Sequence, residues 1–238
     1  MRIPIDFGPE TSSASLGEPV IQVHGSGYAS SGLEESGTPE RETLVVMIGG
    51  MHRSGTSWLA KALSLCGLDL GERANWKAPD NEKGFWEDRY FVELNEFFLG
   101  AQNAAWDNPT DCDFKTAGIL PVYEALVSDK THPMGFKDPR VSLLFGLWQG
   151  VFPDAVLVAP VRNPMEVALS LQARNGFDIE KGLGLWEHYN KSLIGYGCRF
   201  VEFPTQVGLD RLVDDLGLVW NPAVTEWLDA DAIHHTCS

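Results

Sequence analysis

The stretch GGMHRSGTSWLAKAL, residues 49–63, carries the glycines Gly50 and Gly55 at the G-x-x-x-x-G spacing of a nucleotide-triphosphate loop. Ser57 stands where such a loop has its Ser or Thr, but Thr56 takes the place of its lysine, and the nearby cation is Arg53. The chemistry on offer is anion binding. The backbone N–H groups of His52, Arg53, Ser54, Gly55, Thr56 and Ser57, together with a helix N-terminus, form a cradle for a negative group. Arg53 can close on the same anion with a bidentate contact, and the hydroxyls of Thr56 and Ser57 add donors. The plainer alternative is a glycine turn that only joins a strand to a helix, but such a turn has no need of the donors clustered in R-S-G-T-S.

VRNPMEVALS, residues 161–170, is the second such stretch. Arg162 leaves the end of an apolar run, at the edge where open α/β sheets bind ligands. Ser170 follows eight residues later, two turns into the next helix. The two side chains can grip one phosphate from two sides. Alone, the pair reads as a surface arginine and a helix turn. Beside the loop, it reads as a second anion site.

Together these stretches resemble the sulfotransferases that use 3′-phosphoadenosine 5′-phosphosulfate (PAPS). GGMHRSGTSWL is similar to their 5′-phosphosulfate loop, in which an Arg or Lys precedes S-G-T. VRNPMEVALS is similar to their 3′-phosphate motif, an Arg followed eight residues later by a Ser. The resemblance runs from about residue 44 to about residue 205. It implies PAPS as donor, adenosine 3′,5′-bisphosphate as product, no metal, and a hydroxyl acceptor on a carbohydrate or other alcohol.

The resemblance also implies roles for single residues. In NEKGFWEDRYF, Glu87 followed by Tyr90 and Phe91 is similar to the general base of the carbohydrate-modifying branch. A base is needed because a neutral hydroxyl is a poor nucleophile. The alternative to the base reading is an N-cap acid of the helix that opens there, and Asp88 and Asp138 are the bases next in line. In GFKDPR, Lys137 is similar to the lysine that neutralises charge on the departing phosphate. Arg140 either adds to that anion field or clips Asp138. His52 stands where the family often has proline, which implies loop packing rather than proton transfer. Trp76, Trp86 and Trp186 are the tryptophans implied to face an acceptor or the adenine, and His234 and His235 receive no role. No R-K-G lid motif follows residue 205, where the chain is acidic. Glu87, Lys137 and Arg53 are thus the expected catalytic set, with His52 through Ser57, Arg162 and Ser170 binding the nucleotide. Two rivals are a nucleotide or small-molecule kinase with a degenerate loop and a non-catalytic nucleotide-binding protein on the same fold.

These groups need a scaffold that brings loop ends together. TLVVMIGG is a β-branched run ending in glycine, the pattern of a buried parallel strand. Residues 54–66 have helical apolar spacing and Gly67 stops them. Helices are expected over 87–102, 141–152, 164–176 and 183–197. Strands are expected within 132–140, 154–164 and 198–204. Strands alternating with helices predict an α/β fold: one domain, a mostly parallel sheet with helices on both faces, in the P-loop-like sulfotransferase architecture. That domain is expected over 43–238. Residues 1–42, rich in Gly, Ser, Pro and Glu, read as a loop-rich extension with at most a short strand at PVIQVHG.

Composition agrees with such a protein. The 238 residues suffice for one well-buried core. A net charge of −15 argues against a nucleic-acid or anionic-membrane partner, while leaving a local basic cleft open. The four cysteines lack zinc or CxxC spacing. The first twenty residues lack the basic start and apolar run of a signal peptide, so a cytoplasmic location is expected. Oligomeric state is not legible.

Overall fold

The computed structural model describes residues 44–74, 86–110, 126–127, 130–205 and 207–227. The expected strand at 19–25, the rest of residues 1–42, Trp76, Cys112, Cys237, His234 and His235 lie outside the described residues.

Four parallel strands form one sheet in the order β2-β1-β3-β4: β1 (Val45–Ile48), β2 (Met134–Lys137), β3 (Val156–Val161) and β4 (Arg199–Glu202). Why β1 is central can be read from its side chains. All four residues of Val-Val-Met-Ile are buried. Val45 and Met47 enter one apolar cluster, while Val46 and Ile48 enter the other. Alternate residues of a strand point to opposite faces, so an unbroken apolar run needs cover on both sides. β3 divides the same way, with Leu157 and Ala159 on one side and Val158 on the other.

One face is covered by α1 (Thr56–Leu65) and α6 (Leu209–Asp215), which bury Trp58, Leu59, Leu63, Leu212 and Val213. The other is covered by α2 (Arg89–Ala101), α3 (Val141–Gln149), α4 (Pro164–Asn175) and α5 (Ile179–Gly195). There Phe91, Phe136, Trp148 and Tyr189 are almost completely enclosed. Burying an apolar side chain of Phe size stabilises the fold by about 1.5–3 kcal/mol, so this aromatic layer is a large part of what holds α2 and α3 to the sheet. Asn95, inside that layer, accepts a hydrogen bond from Trp148 Nε1 at 2.7 Å and donates to Asp138 at 2.8 Å.

The helix starts are set by side chains that satisfy first-turn amides. Asn163 accepts from the amides of Met165 and Glu166, with Pro164 at the first helical position. Asp178 accepts from the amide of Lys181, and Asp88 from that of Tyr90. Three starts differ from expectation, and in the first of them α5 begins at Ile179 rather than at residue 183, because Asp178 caps the Lys181 amide. α1 begins at Thr56 rather than Ser54, because Arg53 and Gly55 adopt the left-handed backbone of a tight turn. α2 begins at Arg89, which leaves Glu87 outside the helix. Helix α6 occupies the acidic segment that carried no assignment. Among the described residues, no helix is long and apolar enough to cross a membrane.

Candidate active site

The carboxyl ends of three adjacent strands converge. β1 runs into the glycine loop and α1, β2 ends on Lys137, and β3 ends just before Arg162. The ladder pairs Ile48 with Lys137, and Asp138 N–H donates to the Ile48 carbonyl at 3.2 Å. On the other side of β1, Gly49 N–H donates to the Val158 carbonyl at 2.9 Å. The loop therefore leaves the sheet between the ends of β2 and β3.

Within the loop, Ser54 N–H closes a turn onto the Met51 carbonyl at 3.1 Å. Arg53 has φ 70° and Gly55 φ 97°. A Cβ on Gly55 would come within 2.7 Å of the Phe203 ring. Gly55→Ala therefore meets both a backbone penalty and a steric one. It should lower the melting temperature by several degrees and weaken anion binding, measured by thermal denaturation with and without ligand. A variant of wild-type stability and affinity would show that the loop can adopt another path.

The two motifs meet. Arg53 Nε donates to Ser170 Oγ at 2.8 Å across 117 residues, and Arg162 Nη1 donates to the Arg53 carbonyl at 3.1 Å across 109. Arg162 also pairs with the exposed Glu166 at 2.8 Å, and its carbonyl accepts from Trp186 Nε1 at 3.0 Å. The Arg53 residue is open to solvent, yet its guanidinium is crowded. Partial desolvation, and then the Arg162 charge, lower its pKa. Two guanidiniums held together repel each other, and an anion between them relieves that repulsion. Ser54 Oγ is buried in the same loop without a hydrogen-bond partner, and the first-turn amides of α1 have no acceptor inside the helix. These donors fit a phosphate or sulfate group.

On the β2 side, Lys137 Nζ donates to Glu87 Oε1 at 2.5 Å and to Ser57 Oγ at 3.3 Å. Both partners of the ion pair are buried. Burial pushes the Glu87 carboxyl above the usual glutamate range. Lys137 opposes this, Asp138 adds to it, and Arg140 counters in part. A carboxylate with a raised pKa and a lysine in one enclosed place is a typical setting for proton transfer.

The other acids are occupied. Asp88 caps α2 and pairs with Arg73 at 3.0 Å and Lys130 at 2.9 Å. Burial would raise its pKa, but the Lys130 and Arg73 hydrogen bonds outweigh that and hold it below the usual range. Asp138 accepts from Asn95, from the Arg140 amide and from Arg140 Nη1, while Arg140 Nη2 reaches Glu96 at 2.7 Å. Asp138 and Arg140 thus form a structural clip. The His52 ring packs between Trp106, 4.5 Å away, and Tyr189, 6.4 Å away, and its Nε2 is buried without a partner. Burial, and then the charges of Arg140, Arg174, Lys137 and Arg53, push its pKa well down, so the imidazole is neutral. Trp86 packs beside the α1 cluster, with Lys61 Nζ 4.7 Å over its ring.

Two neighbours of the loop were not legible as such in the sequence. Phe203 lies just beyond β4, its ring under Gly55 and 5.4 Å from the Arg162 guanidinium. Ser142, in the first turn of α3, accepts the Gly50 N–H. The available signal was position, since Phe203 directly follows β4 and Ser142 opens the helix that follows β2. Among the described residues, no group of three or more His, Cys, Asp or Glu side chains could hold a metal ion.

No family model and no curated protein matches the chain. Among solved structures, it is similar to the sulfotransferase domain from the Synechococcus PCC 7002 olefin synthase. The TM-score is 0.50 at 16% sequence identity, and the match covers 80% of each chain. The fold is that of a sulfotransferase domain. The glycine loop, Lys137, Arg162 and Ser170 all lie within this fold, at the edge of the sheet that open α/β folds use for ligands.

Proposed function

We propose that the protein transfers a sulfuryl group from PAPS to an acceptor hydroxyl on a carbohydrate or other alcohol. The observation that carries this reading is the junction of Arg53, Ser170 and Arg162 beside the Glu87–Lys137 pair. One loop then serves the 5′ end of the donor, while Arg162 and Ser170 serve its 3′-phosphate.

In this mechanism Glu87 takes the proton of the acceptor hydroxyl as its oxygen attacks sulfur. The new S–O bond forms in line as the S–O bond to the 5′-phosphate breaks, and adenosine 3′,5′-bisphosphate leaves. Lys137, between Glu87 and the Ser57 end of the loop, neutralises charge growing on the departing phosphate. Arg53 and the loop amides hold that phosphate throughout. The raised pKa of Glu87 makes its carboxylate a stronger base than an ordinary glutamate.

Calorimetry tests the donor reading. Adenosine 3′,5′-bisphosphate should bind in excess chelator, and ATP with magnesium should bind less tightly. The reverse preference would favour a kinase. Arg162→Ala should weaken the bisphosphate by about ten- to a hundredfold, the value of a charge-assisted contact, and adenosine 5′-phosphate far less. Equal weakening of both ligands would remove Arg162 from the 3′-phosphate site.

A further inference from the structure

Ser142 is a buried polar residue that the mechanism above does not use. It lies in the first turn of α3 with no exposed surface. Its Oγ accepts the Gly50 N–H at 2.7 Å, across 92 residues. Its carbonyl accepts from Ser192 Oγ on α5 at 2.6 Å. The approach is close, since a Cβ on Gly49 would come within 2.8 Å of Ser142 Oγ. The first peptide of the phosphate loop is therefore tied to α3, and α3 in turn to α5.

The segment from Lys137 to Ser142 grips the loop at two points. At one end, Lys137 pairs with Ile48 in the ladder and Asp138 N–H reaches the Ile48 carbonyl. At the other, Ser142 holds Gly50, whose φ of 122° commits the chain to the turn that follows. Between them lies the Asp138–Arg140 clip. One rigid stretch thus carries the lysine of the site and also sets the pose of the loop.

We propose that Ser142 is a positioning residue that fixes the phosphate loop in register with Lys137. Without its oxygen, the Gly50 N–H is a buried donor in search of a partner, and the loop peptide must turn to find one. The amides behind it then lose their common aim at the anion. The inference rests on the sulfotransferase reading only for its choice of ligand.

The experiment compares wild type, Ser142→Ala, Ser142→Cys and Ser192→Ala. Cysteine nearly keeps the volume and weakens the acceptor. Ser192→Ala loosens the same helix and leaves the loop bond in place. Three quantities are read: bisphosphate affinity by calorimetry, turnover of PAPS with water as acceptor, and hydrogen exchange of the Gly50 amide. In wild type the Gly50 amide should be well protected. Both Ser142 variants should speed its exchange, weaken the bisphosphate by about tenfold and lower kcat as well as raising KM. Ser192→Ala should lower stability with affinity unchanged. An unprotected Gly50 amide in wild type would overturn the inference, as would wild-type affinity in the Ser142 variants or an equal loss of affinity in Ser192→Ala. Failure of wild type to bind the bisphosphate would instead sink the donor reading, and Gly50 exchange alone would then decide whether Ser142 holds the loop.

Discussion

Glu87→Gln should bind adenosine 3′,5′-bisphosphate at least as tightly as wild type and turn over roughly 10²–10⁴-fold more slowly. The substitution keeps size and shape and removes the ability to take a proton. Affinity should hold because Lys137, no longer facing a carboxylate, keeps its charge for the phosphate. A capping role for Glu87 would predict a loss of about a kilocalorie of stability and intact chemistry, but Asp88 already supplies that cap. The assay needs no identified acceptor, since release of bisphosphate from PAPS with water as nucleophile reports the same step. Wild-type activity should also fall with decreasing pH across a limb above the usual glutamate range. The base must be ionised, and burial has raised its pKa. A Gln variant with near-normal turnover would remove Glu87 as the base and, with it, the main reason for favouring a carbohydrate-type acceptor.

The second large effect belongs to Lys137→Ala, which should change rate, affinity and stability together. Turnover should fall by about 10²–10³, the loss expected on removing a group aimed at developing charge. The bisphosphate should bind more weakly too, because an ammonium beside a phosphate contributes in the ground state. Stability should fall because the buried Glu87 carboxylate loses the Lys137 ammonium. Removing one member of a buried pair costs about 3–5 kcal/mol. The pH dependence has a definite sign. Lys137 lowers the Glu87 pKa against the effect of burial, so its removal raises that pKa further above the unfolded value. The folded state then holds its proton where the unfolded state has released it. The loss of stability is therefore small below the ordinary glutamate range, about pH 4.3. It grows as pH rises toward the raised pKa and is constant above it. Urea denaturation at several pH values reads this directly. The Glu87→Gln/Lys137→Ala double variant should be more stable than Lys137→Ala alone at neutral pH. A pH-independent loss, undiminished by Glu87→Gln, would show that the pair contributes packing rather than charge.

What the sequence determined by itself is whatever rests on local chemistry. The β-branched apolar runs, one ending in Gly49-Gly50 and the other in Arg162-Asn163-Pro164, gave β1 and β3 their identity, since an apolar run bounded by turns suits a strand covered on both faces. Asn163 and Pro164 announced the start of α4, because a side-chain cap and a fixed φ act on the residues beside them. Local spacing set Arg162 at a strand end and Ser170 two turns beyond it. The seven-residue α6 went unassigned because so short a helix shows its apolar side only through Leu209, Leu212 and Val213, set among acids.

What only the tertiary structure decided is which of these groups meet. Glu87 and Lys137 are 50 residues apart, Arg53 and Ser170 are 117 apart, and Gly50 and Ser142 are 92 apart. No local pattern encodes such pairs. They follow from the strand order β2-β1-β3-β4, which sets the ends of β2 and β3 on either side of the loop. The different surroundings of Glu87 and Asp88 follow from a single residue of helix boundary. Asp88 took the cap and two cations, which left Glu87 to be buried against Lys137. Both are acids one position apart, and composition treats them alike. They were separated by the partners that the packed sheet and α2 bring to each one, because the cost of burying a charge depends on those partners.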